Sequence, residues 1–189
     1  MTNFYSRKEL IEFGFKSVGK NVKVSKKSSL YSISGSIGND TRIDDFVLLK
    51  GHLVIGNKVH ICSHSSLSGV GGKITIEDLC GIGVSNIFYT SSDDMLQSAL
   101  CGPLVPKKFT KTKNGNIFVS KGAALGGRVT VMPHSHIGKF TAIGLGAIIT
   151  GILDDFSLYM QINGKLKKLA KRNSSLLNEY AKISLMDDI

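Results

Sequence analysis

Val119, Leu125, Val131, Ile137, Ile143 and Ile149 follow one another at intervals of six residues, without exception. Small or β-branched residues stand four places after the first five of them: Ala123, Val129, Ser135, Thr141 and Ala147. Glycine directly follows several of these rungs, at Gly126, Gly138 and Gly144. Six is a multiple of the strand period of two, not of the helical 3.6. A six-residue unit therefore makes one short strand and one corner. The aliphatic residue points inward, and so does the small residue two places before the next aliphatic one.

The same ladder runs through Val18, Val24, Leu30, Ile37, Ile43, Leu49, Ile55, Ile61, Leu67, Ile76, Ile82 and Phe88, giving eighteen rungs in groups of three. The frame slips by one residue between Leu30 and Ile37 and by three between Leu67 and Ile76. Three units bring the chain back above its start, about 4.8 Å higher. The expected fold is all-β: a parallel β-helix of about six coils, roughly 30 Å long at that spacing. So many in-register matches set it apart from a sandwich of ordinary strands. Glycine or Asn at the corners tolerates the dihedrals a tight bend needs.

Three segments follow from the pattern. Residues 1–16 are a cap: Ser6 and Glu9 form a capping-box signature opening a helix from Arg7 to Phe15. Residues 17–164 are the β-helix, interrupted by an insertion at 89–116. Residues 165–189 are read as a basic helical tail, with Leu166, Leu169, Leu176, Leu177, Tyr180 and Ile183 as its apolar set. Caps are expected because an open coil end is a naked sheet edge.

The formal net charge of +10 favours anionic partners. Nucleic acid is not the expected one, since no aromatic residues interleave with the cations. Cys62, Cys80 and Cys101 are odd in number and lack C-x-x-C spacing, as reduced thiols of a cytoplasmic protein would be. The first residues have no long apolar run, and no stretch approaches ~18 consecutive apolar residues, so membrane insertion is not expected.

The repeats resemble the left-handed β-helix hexapeptide acyltransferases, and the left hand comes from that resemblance alone, since parallel crossovers are right-handed by default. Three stretches are similar to one branch of them: Tyr5-Ser6-Arg7-Lys8-Glu9-Leu10, Arg42-Ile43-Asp44-Asp45-Phe46, and Tyr89-Thr90-Ser91-Ser92-Asp93-Asp94. That branch is the bacterial enzymes that acylate dTDP-4-amino-4,6-dideoxy-D-glucose for surface polysaccharides. The resemblance implies an acetyl-CoA-dependent N-acyltransferase acting on a nucleotide-linked amino sugar, as in O-antigen biosynthesis. It implies a homotrimer with sites between neighbouring prisms. It also implies a groove for coenzyme A along Gly127, Leu145 and Thr150, with Lys165 and Lys168 on the phosphates. A sugar O-acetyltransferase is the alternative, and a non-catalytic β-helix scaffold or binding protein is the second.

The sequence departs from the wider family in two places. O-acetylating relatives carry a catalytic histidine in the insertion, where this chain has Ser92 and Asp93. After the last coil the family usually has Gly-x-Pro-Ala-Lys, where this chain has Gln161-Ile162-Asn163-Gly164-Lys165.

The remaining candidates come from position. His60 directly precedes inward Ile61, so its imidazole should point outward, where it could take a proton from an attacking amine. His64 lies at the following corner, and His52 one coil earlier. A loop as long as the insertion is usually functional, and its Asp93 and Asp94 could orient the amine or accept its proton. Lys165, Lys167, Lys168, Lys171 and Arg172 put five cations in eight residues, suited to phosphates. Cys62 is a weak nucleophile candidate beside His60. Neither His60-x3-His64 nor His134-x-His136 is read as a metal site, because repeat geometry turns those side chains apart.

Overall fold

The computed structural model describes residues 3–94, 99–175 and 177–180. The ladder winds into a three-sided parallel β-solenoid. On side one the stacked rungs are Val18, Ile37, Ile55, Ile76, Val119, Ile137 and Leu153. On side two they are Val24, Ile43, Ile61, Ile82, Leu125, Ile143 and Tyr159. On side three they are Leu30, Leu49, Leu67, Phe88, Val131 and Ile149. All eighteen expected rungs are buried except Leu30, which is partly buried. The five small residues of the pattern, Ala123 to Ala147, are buried as well. Leu153 and Tyr159 add a seventh, incomplete coil beyond the expected six.

The frame slips are bulges. The extra residue before Ile37 is absorbed where the register shifts between Tyr31 and Ser34, with Ser32 at φ 48° and Gly35 at φ 114°. A side chain at Gly35 would place its Cβ 1.8 Å from the Leu53 carbonyl oxygen, so glycine is obligatory there. The three extra residues before Ile76 bulge out between Gly69 and Lys73, opposite Gly51 and His52.

The corner between sides one and two, vertex A, carries positive φ at Asn21, Asp40, Lys58, Leu79, Phe140 and Phe156. Leu79, Phe140 and Phe156 lack the local hydrogen bonds that let Asn and Asp tolerate this region, so each is strained. A ladder of side-chain acceptors holds the bend. Lys20 N–H donates to Asn39 Oδ1 at 2.8 Å, Asn39 N–H to Asn57 Oδ1 at 2.7 Å, and Asn57 N–H to Asp78 Oδ1 at 2.7 Å. Sides two and three meet at vertex B, and sides three and one at vertex C.

The N-terminal helix spans Arg7–Glu12 and has the full capping box. It ends before the expected Phe15 because Gly14, at φ 119°, turns the chain into the prism. Leu10 and Phe15 are then buried against the first coil.

The C-terminal segment departs from expectation. Residues Lys165–Lys171 are not helical but a strand, antiparallel to Ser157–Ile162. The turn between them is Asn163-Gly164, with φ 49° and 76°. Asn-Gly with positive φ at both positions is a strong two-residue hairpin signal, and here it overrides the helix-like spacing of the leucines. Helical residues begin only at Ser175 and continue over 177–180, with Leu177 and Tyr180 of the expected apolar set; Leu176 and Ile183 lie outside the described residues. Among the described residues no helix is long and apolar enough to cross a membrane.

Candidate functional site

On side two the residues flanking each rung face outward. Coil two presents Arg42 and Asp44 beside Ile43, and coil three presents His60 and Cys62 beside Ile61. Parallel register sets Arg42 against His60, which brings Asp44 within reach of both. Asp44 Oδ2 lies 2.8 Å from His60 Nε2, and Arg42 Nε donates to Asp44 Oδ1 at 2.7 Å. Partial burial works against ionising Asp44, but the hydrogen bonds from Arg42 and His60 outweigh it and hold its pKa below the usual carboxylate range. Cys62 Sγ stands 3.9 Å from both imidazole nitrogens. Burial first, then the Asp44 charge, raises the pKa of this thiol, which argues against a thiolate nucleophile. Donor atoms of Asp44, His60 and Cys62 lie within 4.8 Å of one another, close enough to hold a small cation. The Arg42 guanidinium against Asp44 opposes that use.

His64 sits at vertex B with φ 63°, its ring 5.1 Å from that of Phe46. Higher on the same vertex lie Val84, Gly127 and Leu145. A methyl group at Gly127 would stand 3.1 Å from Val84 Cγ2 and 3.7 Å from Leu145 Cδ2. The missing side chain therefore opens a notch between two exposed apolar ones. The structure thus brings Gly127 and Leu145 together, while Thr150 lies across side three, near vertex C. His52 also belongs to vertex C, away from His60.

The insertion leaves and rejoins the prism at vertex C. Gly115 N–H donates to the Thr90 carbonyl at 2.9 Å, and Thr90 Oγ1 donates to the carbonyls of Ser68 and Val70, both at 2.9 Å. Ser91–Asp93 pairs with Thr112–Asn114 as a short antiparallel ribbon. Asp93 accepts from Gly102 N–H at 3.0 Å. Asp94 is buried, with Lys113 Nζ 3.4 Å from its carboxylate. Vertex C is opposite side two in a three-sided prism. Within one chain, then, His60 and the loop carboxylates do not form a single site. His136 stands near the loop base, 2.9 Å from Ser120 Oγ, and His134 packs over Gly115.

Lys168 Nζ lies 2.7 Å from Asp154 Oδ2, and each group stabilises the other's charge. Lys165 and Lys168 fall on opposite faces of their strand, because strand side chains alternate. Leu166, which shares the Lys168 face, packs on the core. The expected pair of phosphate-holding lysines is thus split by the hairpin. Sequence reasoning missed Asp44 and Arg42 as partners of His60; the signal was the 18-residue separation of Arg42 and His60, which in this repeat means stacked coils.

No protein-family model matches the chain. It is 34% identical over 173 residues to the dTDP-4-amino-4,6-dideoxy-D-glucose acyltransferase of Escherichia coli, covering 89% of this chain and 88% of that one. Among solved structures it matches AntD, an N-acyltransferase from Bacillus cereus, in complex with dTDP and 3-hydroxybutyryl-CoA. That match has 33% identity, a TM-score of 0.88 and full coverage of both chains. A point variant of AntD in complex with dTDP-4-amino-4,6-dideoxyglucose and coenzyme A matches with 35% identity and a TM-score of 0.84, over 96% of this chain and 99% of that one. With this much identity along nearly its whole length, the chain belongs to the family of dTDP-4-amino-4,6-dideoxy-D-glucose acyltransferases.

Proposed function

We propose that the protein transfers an acyl group from a coenzyme A thioester to the 4-amino group of a dTDP-linked 4-amino-4,6-dideoxyhexose. The observation that carries this is the end-to-end match to an enzyme whose structures hold that nucleotide sugar and coenzyme A. Acetyl-CoA is the simplest donor, and both substrates fit a cytoplasmic enzyme making precursors for surface polysaccharide such as O-antigen. The strong positive charge suits two polyanionic substrates.

The neutral amine attacks the thioester carbonyl carbon, the nitrogen gives up a proton, the C–S bond breaks, and coenzyme A leaves as the thiol. A backbone N–H near Gly127 would steady the oxyanion. His60 is the preferred proton acceptor, with His64 the second candidate. Asp93 and Asp94 attract the ammonium form of the sugar. Gly127 and Leu145 line the pantetheine arm, with Thr150 farther across side three, and the phosphates lie against the basic hairpin, with Lys165 on one face and Lys168, once released from Asp154, on the other. Since side two and vertex C are opposite in one prism, a complete site needs a neighbouring copy, which favours a homotrimer.

The acceptor is an amine because the insertion lacks an imidazole. A sugar hydroxyl is a very weak acid and needs a well-placed base to attack, whereas a neutral amine already carries a nucleophilic lone pair. The test is turnover with dTDP-4-amino-4,6-dideoxyglucose and with its 4-hydroxy counterpart, read by product mass. Acylation of the amine with negligible rate on the hydroxyl compound is expected. Comparable kcat/KM on the two would overturn the reading.

A further inference from the structure

We infer that Asp44 is the positioning residue for His60, accepting a hydrogen bond from Nε2–H so that Nδ1 is left as the unprotonated nitrogen that receives the substrate proton. This rests on the acyl-transfer reading above and assigns a role within it to a residue pair that sequence spacing alone did not join. Asp44 is held at both oxygens, by Arg42 at 2.7 Å and by His60 at 2.8 Å. A carboxylate fixed at two points cannot rotate away, so the ring it holds is fixed as well. Hydrogen bonding at one ring nitrogen decides which tautomer the other presents.

The surroundings favour access to that ring. Above His60 and Cys62 the two outward columns of side two become Gly81, Gly83, Ala124, Gly126, Ala142 and Gly144, which follow from the stacked register of the rungs. Side chains return only at Leu158 and Met160 in the seventh coil. Four coil spacings of about 4.8 Å make this bare floor roughly 19 Å long. His60 stands at its lower end, nearly half exposed, with Cys62 Sγ 3.9 Å from Nδ1 and the bare columns above as the open line of approach. Arg42 and Asp44 together are neutral, so the dyad adds no net charge to that approach.

Arg42 makes the proposal sharply testable. In Asp44→Asn the guanidinium has only donors, so the carboxamide must turn its oxygen to Arg42 and its NH2 to His60. Nε2 then becomes an acceptor, and the proton moves to Nδ1. The expected result is a reversal of the His60 tautomer in 15N NMR, with kcat down roughly 10²-fold and both KM values within about twofold. Adding Arg42→Leu to Asp44→Asn releases the carboxamide to flip and should restore part of both the tautomer and the rate. Asp44→Glu, which keeps the carboxylate, should retain the Nε2–H tautomer. An unchanged tautomer in Asp44→Asn, or a changed tautomer with full kcat, overturns the assignment. Absence of turnover in the unaltered protein would instead strike the acyl-transfer reading, while the NMR comparison still reports whether Asp44 sets the ring.

Discussion

Lys168 lies 2.7 Å from Asp154, so a cation expected to face a phosphate already faces a carboxylate at the corner that follows Leu153. Lys165, on the opposite face of the hairpin, forms no ion pair among the described residues. Charge reversal at both, Lys165→Glu with Lys168→Glu, should raise KM for acyl-CoA about tenfold, the effect of about 1.4 kcal/mol. Asp154→Asn should lower it, because it releases Lys168. Steady-state kinetics on the two variants checks both directions. Unchanged KM in the double variant would make the strand a solvated edge only.

The notch at Gly127 gives a second prediction. Val at this position fills the gap between Val84 and Leu145. Gly127 does not lie in the left-handed region, so the fold should survive with only a small loss of Tm. KM for acyl-CoA should rise tenfold or more, and KM for the nucleotide sugar should stay within about twofold. Equal changes in both constants would place the pantetheine elsewhere.

Leu145, Ile148 and Ile152 are 75%, 54% and 79% exposed on one chain, one at each edge of side three and one on it, and large apolar side chains left in water along a prism face suit an interface. Sedimentation should give three times the chain mass, and Ile152→Lys should lower it. Because His60 and Asp94 sit on opposite parts of one prism, trimers refolded from a mixture of His60→Ala and Asp94→Asn chains should regain activity that neither variant has alone. No recovery in mixed trimers would place the whole site within one chain.

Glu9 supplies a pH dependence. Hydrogen bonds from the backbone and side chain of Ser6, then from Lys26, lower its pKa from 4.5 to about 2. A depressed carboxylate stabilises the fold above its unfolded pKa, and that contribution fades as pH falls through the folded one. The Tm difference between the protein and Glu9→Gln should be constant above about pH 5 and vanish toward about pH 2. A difference that grows on acidification would contradict the capping role.

The prism was legible because a rung such as Ile61 must be aliphatic whatever its neighbours do, and truncating it to Ala would cost about 2–5 kcal/mol. The seventh coil was not, because Leu153 follows Ile149 by only four residues, through the tight corner at Gly151, and its next rung is the aromatic Tyr159. The hairpin was written in Asn163-Gly164, but Leu166 and Leu169 have a spacing that a helix also satisfies. Of the candidate site, His60 was legible as an outward imidazole. Its bond to Asp44 was not, since it depends on the lateral register of two coils rather than on any local motif.

The hairpin also limits growth. A solenoid that stacks identical short strands presents at its last coil the same unsatisfied amides and carbonyls that each earlier coil offered to the next. On side two that template is occupied by Lys165–Lys171, which runs the opposite way and carries four lysines. A further parallel coil, from this chain or from a stranger, meets reversed polarity and like charge. Removal of residues from 163 onward would therefore bare the edge of the last coil alone, since Leu10, Phe15 and the Tyr5 to Val24 hydrogen bond cover the first coil, and pairing of copies tail to tail, rather than loss of the prism, is the failure this segment guards against.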